Sequence, residues 1–238
     1  STILDLKMPH PNDFFSYEFT IKLYRDMQNA ELDTKVQFLM DYIETVKEQF
    51  THDVVDYLQK GQLSLLYFDH QEYEKALPLF EEIATKEAPT GTAGNHLYIL
   101  LLIRTNRLLK NYSAAFSILE EKLNVKSGNL SGFEILDFLE EYVHLCEHAA
   151  WSFDPKFNSA IQFVLEELGF NQKKLEPIEQ ISFLVATHRE WNKRLGEIHL
   201  KNDSSKDDKI KLFETYQEEC PVGWYRDYAG KIIRNTTE

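Results

Sequence analysis

Residues Asp56–Pro89, DYLQKGQLSLLYFDHQEYEKALPLFEEIATKEAP, spell out one helical hairpin. Leu63, Leu66 and Tyr67 recur at helical spacing, the polar corner Asp69-His70-Gln71-Glu72 interrupts them, and Tyr73, Ala76, Leu77 and Phe80 restart the period. A small alanine on the second helix lets it close on the first, while Tyr73 and Phe80 fill the space on either side. The pattern returns as Tyr112-x-x-Ala115-Phe116 and Phe157-x-x-Ala160-Ile161, and the next turn of each helix carries Phe80, Leu119 or Val164.

An aromatic followed by a small residue on the second helix, with a proline near the end, resembles the tetratricopeptide repeat. Leu63, Tyr67, Ala76 and Phe80 match that pattern and Pro89 stands near the closing proline, whereas Ser64 replaces the usual glycine and Lys60 the usual tryptophan. The intervals between the three alanines exceed the roughly 34 residues of such a unit. The surplus falls in the Gly-containing stretches 88–94 and 125–132, which read as lengthened connections. The resemblance implies an all-α fold, a right-handed superhelix of helical-hairpin repeats over about residues 53–168. Atypical capping hairpins would close it at both ends. An irregular helical bundle in which the pattern recurs by chance is the alternative. In that family partners lie along the concave side built by first helices. Here this side would present Leu58, Gly61, Leu65 and Phe68, then Leu97, Leu100, Arg104 and Arg107. The two arginines would hold a peptide carboxylate; otherwise Leu97 and Leu100 are ordinary core and the arginines only solubilise.

Composition agrees with helix. Nine glycines and seven prolines in 238 residues, with abundant Leu, Glu and Lys and no sustained Val/Ile/Thr alternation, leave no room for a sheet. One elongated domain over residues 1–238 is expected, with an N-terminal arm and capping hairpin (1–50), repeats (51–170) and C-terminal capping helices (171–238). The net charge of −13 argues against a general nucleic-acid binder, because phosphates demand a cationic surplus. Cys146 and Cys220 are no disulfide framework. The longest apolar run, Leu97–Ile103, is far below the roughly 18 residues of a membrane span. With no signal peptide visible, a cytoplasmic protein is expected, although the start at Ser1 rather than Met leaves a removed leader open.

Along the chain, residues 1–11 read as a loose or docked arm, and a helix follows from Phe14 to about Asn29 with Asn12 or Asp13 as N-cap. A second runs from Asp33 or Thr34 to Phe50, and together they form a variant repeat or end unit. Pro78 inside its helix costs about 3 kcal/mol, so a kink is expected there. The helix from Gly94 to Leu109 is apolar all round and should be buried between neighbours. Asp154-Pro155 is a helix start and Gly169 a stop. A long helix covers Glu176 to about Leu200, residues 201–208 form a solvated linker, and two short helices, Ile210–Tyr216 and Trp224–Ile233, finish the chain. The Trp224–Tyr228 cluster should cover the last repeat.

Glu141, His144 and His148 share one helix face and are the weak candidate for metal ligands. A ferritin-like site would need a second Glu-x-x-His, and the sequence carries none. His188, Arg189, Glu190 and His199 could be imagined as an acid/base set, but their spacing does not support it. With no phosphate loop and no nucleophile elbow, the expected function is non-catalytic: a protein–protein interaction scaffold binding a peptide or helix, with no cofactor. A self-associating structural subunit, hence a homo-oligomer, is one alternative, and a metal-dependent helical enzyme another.

Overall fold

Tyr42 decides how the chain begins. Its hydroxyl donates to Phe14 O at 2.6 Å and accepts from Ser16 N at 2.9 Å, so the backbone there is satisfied without helix. The expected helix start at Phe14 is therefore displaced. Pro11–Asp13 form a single 3₁₀ turn, and α1 (Tyr17–Ile21) begins after Ser16, whose Oγ accepts from Phe19 N at 3.1 Å. Neither Asn12 nor Asp13 caps it. α1 widens into a π turn over Lys22–Asp26, and α2 (Leu32–Val46) ends in the 3₁₀ turn Lys47–Gln49. Phe14, Phe19, Leu23, Leu39 and Ile43 make the core of this hairpin, none more than 3% exposed, and Leu66 joins them from the next helix. The computed structural model describes residues 9–171 and 174–237; of the arm expected over residues 1–11, residues 1–8 lie outside them.

Four helices follow: α3 (His52–Asp69), α4 (Tyr73–Thr85), α5 (His96–Leu108) and α6 (Tyr112–Lys122). α2 packs on α3, α3 on α4 and α4 on α5. The turns before α4 and α6 share one backbone solution. Gln71 and Lys110 adopt φ of 60° and 62°, and the next residue's amide reaches back to close the preceding helix, Glu72 N to Tyr67 O and Asn111 N to Asn106 O. Pro78 does not break α4; it sits on the exposed side, where water can serve the carbonyl of Glu74 that loses its amide partner. α5 departs from expectation. Ile103 is fully buried, but Leu97 is 51% exposed and Leu100 half-buried, so the helix is not apolar and covered all round.

Two compact units result, one ending at Ala115 and the other starting at Phe116, a division inside α6. In the second, α7 (Gly132–Ala149) opens with a capping box in which Ser131 Oγ accepts from Glu134 N and the Glu134 carboxylate accepts from Ser131 N. Asp154 caps a 3₁₀ turn, Pro155–Phe157, that leads into α8 (Asn158–Leu168), which Gly169 ends in the left-handed region at φ +66°. α9 (Pro177–His199) follows, then α10 (Lys206–Glu219) and α11 (Gly223–Thr237). Ser205 accepts from Asp208 N, so the end of the expected linker is really the first turn of α10. α7 packs on α8 and α9, α9 on α10, α10 on α11, and α11 returns to α8.

Among the described residues no strand forms; one antiparallel bridge links Phe170 to Val222. Also among them, no helix is long and apolar enough to cross a membrane. Cys146 and Cys220 are free and buried, and burial pushes both thiols up.

The bridge depends on two glycines lying back to back. Gly223 N donates to Gly169 O at 2.9 Å, and a Cβ on Gly169 would stand 3.1 Å from Gly223 Cα. Gly169→Ala should lose at least about 1–2 kcal/mol from the left-handed backbone alone. Gly196, inside α9 with nothing near its missing Cβ, should gain up to about 1 kcal/mol as alanine. Urea unfolding of the two variants against wild type measures both.

Candidate functional site

A glycine within a helix costs roughly 0.5–1 kcal/mol relative to alanine, so Gly61 in the middle of α3 marks a place where something comes close. That neighbour is Tyr98 of α5. A Cβ on Gly61 would collide with Tyr98 Oη and stand 2.8 Å from its Cζ. The Tyr98 ring meets Tyr57 edge-on at 5.8 Å and lies 6.5 Å from Phe80. Burial, with smaller contributions from the neighbouring phenols of Tyr57 and Tyr24, pushes Tyr98 up to about 12. Tyr24, from the π turn, accepts a hydrogen bond from Gln62 Nε2 and is still 47% exposed. Tyr24, Gln62, Gly61 and Tyr98 thus form a polar-aromatic strip where α3 meets its neighbours. At the end of α3, burial raises the carboxyl of Asp69 despite the nearby charges of His70 and Lys35.

The residues expected to face a partner are scattered about this strip. Leu58 packs against the core of the α1–α2 hairpin. Phe68 meets Tyr73 at 5.3 Å and Phe80 at 6.1 Å, inside the α3–α4 hairpin. Leu65, Leu100 and Arg104 are half-buried and Leu97 is exposed. Arg107 is only 8% exposed, so its guanidinium could meet a partner only after packed neighbours moved. Tyr24, Tyr57, Gln62 and Tyr98 were not anticipated. Gly61 was the available signal, a helix-interior glycine needing a large neighbour to explain it.

In the second unit Glu141, His144 and His148 do not converge. Glu141 is 2% exposed, whereas His144 is half-buried between Glu140 at 3.8 Å and Glu147 at 3.4 Å, and His148 is exposed. Among the described residues no group of three His, Cys, Asp or Glu side chains stands where it could hold a metal ion. No family model, curated protein or solved structure matches this chain.

His188, Arg189, Glu190 and His199 also part company. Arg189 reaches Glu140 at 2.6 Å, Glu190 binds Arg194 at 2.6 Å, and His199 packs near Phe213 and Tyr228. Arg194 in turn covers the face of Trp191. His188 turns inward, its Nδ1 2.8 Å from the hydroxyl of Tyr225 and its ring 5.0 Å from Phe133. The Trp224–Tyr228 cluster gathers about Phe133 of α7: Tyr225 is buried against Phe133 and His188, while Trp224 meets Phe133 edge-on at 4.9 Å, stacks on Tyr228 and stays 42% exposed.

Burial lowers the His188 imidazole, outweighing the carboxylates of Asp137 and Glu140. With the folded value below the unfolded one, the unfolded chain takes up a proton first as pH falls. Stability contributed by neutral His188 is complete above about 6.5 and declines below it. Thermal melts from pH 7.5 to 5 should show this loss in wild type, and His188→Gln should flatten it.

Proposed function

We propose that this protein is a non-catalytic interaction scaffold of tetratricopeptide-like helical hairpins, presenting the strip where α3 meets α5 to a peptide, a helix or a neighbouring subunit. One observation carries the architectural half of this reading. Ala76, Ala115 and Ala160 are each fully buried, and so are Phe80, Leu119 and Val164 one turn later. Exposure from Glu72 to Glu81 repeats residue for residue from Asn111 to Glu120, and the stretch from Lys156 departs from it mainly by burying more. A recurring burial register of this kind is what stacked hairpins require, since each helix must hide the same flank against a neighbour.

The interaction half rests on the Tyr24–Gly61–Gln62–Tyr98 strip and on Leu97, a large apolar side chain left in solvent. Rigid tyrosines offer contact area at little entropic cost together with a polar tip.

Two experiments test the halves separately. Ala→Leu at 76, 115 or 160 should each destabilise by about 1–3 kcal/mol through overpacking. The same change at exposed Ala114 should stay within about 0.5 kcal/mol. Equal costs at all four positions would remove the repeat register. For the interaction, proteins co-purifying with wild type are compared by mass spectrometry with those of a Leu97→Asp/Arg104→Glu variant, after circular dichroism shows both folded. Specific partners should be lost from the variant; an unchanged set would overturn the assignment of this face.

A further inference from the structure

At the opposite end of α3, two clefts adjoin and share Asp53, Pro89 and Thr90 as a common wall. One, of about 530 Å³, is lined by Asp53, Asp56, Tyr57, Lys86 and Glu87. The other, of about 850 Å³, has an apolar lining in Pro9, Pro11, Phe50 and Val54. Their shared wall is held in place. Asn95 Nδ2 donates to Ala84 O at 3.0 Å and Lys86 O at 3.1 Å, Thr92 Oγ1 donates to Pro89 O at 2.6 Å, and Gly91 turns at φ +85° against the Pro11 ring. A trough with fixed walls binds without first having to order them.

Charge is distributed unevenly within it. Lys60 Nζ lies 2.8 Å from Asp56 and 2.7 Å from Glu82, and Lys86 Nζ lies 2.6 Å from Glu82. These hydrogen bonds hold the Glu82 carboxyl down at about 2. Both lysines are thereby committed to Asp56 and Glu82, and the carboxylates of Asp53 and Glu87 remain as surplus negative charge at the mouth. Tyr57 supplies a second, independent sign. It lines the same cleft, is only 4% exposed, and its hydroxyl has no hydrogen-bond partner among the described residues. Leaving a buried hydroxyl unserved is unfavourable, and a ligand donor that shifts the side chains packed over it would relieve it.

We propose that this trough is a docking site for a short extended segment of a partner protein that carries an arginine next to an apolar residue. The apolar side chain would lie among Pro9, Pro11, Phe50 and Val54. Its neighbouring guanidinium would reach Asp53 and Glu87 and, once the side chains over Tyr57 shift, donate to Tyr57 Oη. Arginine fits better than lysine, because a planar fork of five donors serves two carboxylates and a phenol at once. The proposal shares with the scaffold reading the idea that the chain binds protein segments, but it uses a different surface.

Fluorescence anisotropy of the purified full chain tests it, with labelled hexapeptides that place one arginine one to three residues from Leu, Phe, Val or Pro in an Ala/Gly background. Matched peptides carry citrulline, which keeps the shape and loses the charge. Arginine peptides should bind at least ten-fold tighter than their citrulline partners and weaken as salt rises. Asp53→Asn, a change at a side chain 94% exposed, should weaken the arginine peptides several-fold while circular dichroism shows the variant folded. Tyr57→Phe should weaken them too, with its melting midpoint unchanged or raised. Binding indifferent to citrulline or to Asp53→Asn, or no binding by any peptide of the set, overturns the proposal. So does a concentration-dependent dimer that Asp53→Asn dissolves, which would give the trough to a second copy of the chain. Leu97→Asp/Arg104→Glu should leave the peptides bound, so failure of the α3–α5 face and failure of the trough are told apart.

Discussion

Everything in this protein depends on how closely two helices can approach where one of them carries almost no side chain. Ala76, Ala115 and Ala160 are fully buried, and each is followed one turn later by a large buried residue. A helix axis can come within about 8–10 Å of its neighbour only where the contact residues allow it. At these positions a methyl group does. Gly61 takes the same logic to its limit, because there even a methyl group would strike Tyr98. Large rings then fill the space that the small residues leave beside them. Truncating a buried phenylalanine such as Phe80 would cost about 3–5 kcal/mol, a large part of a typical domain's stability.

How much of this could be read in advance depended on the range over which each signal acts. The α3–α4 hairpin, the recurring alanines, the capping by Asp154 and the stop at Gly169 are written in neighbouring residues, and they stand where the pattern put them. The start of α1 was misjudged because the deciding group is the hydroxyl of Tyr42, far along the chain, which serves the backbone on either side of Phe15. The start of α10 was a different failure. Ser205 and Asp208 carried a local capping signal, and the surrounding run of charged and polar residues concealed it.

The candidate sites show the same division. Spacing on a helix puts Glu141, His144 and His148 on one side, but near a helix end one side can be covered at one turn and open at another. Glu141 is accordingly buried while His148 is exposed. The tetratricopeptide resemblance would put Leu58 and Phe68 on a common partner-facing side, yet one packs on the α1–α2 core and the other inside the α3–α4 hairpin. What periodicity could not supply was Tyr24, whose position follows from a π turn, or the joining of Pro9, Phe50 and Pro89 around one trough. Such groupings come from loop geometry, which no helical period encodes.

The contact between Gly169 and Gly223 has one more consequence. It pins the chain at two points that bracket all of α9 and α10. Loop-closure entropy grows only with the logarithm of length, so this long excursion is tied off for little more than a short one would cost. The clasp itself is a single amide-to-carbonyl hydrogen bond, and the packing of α9 on α7 and of α10 on α11 shares the work of holding the loop it closes.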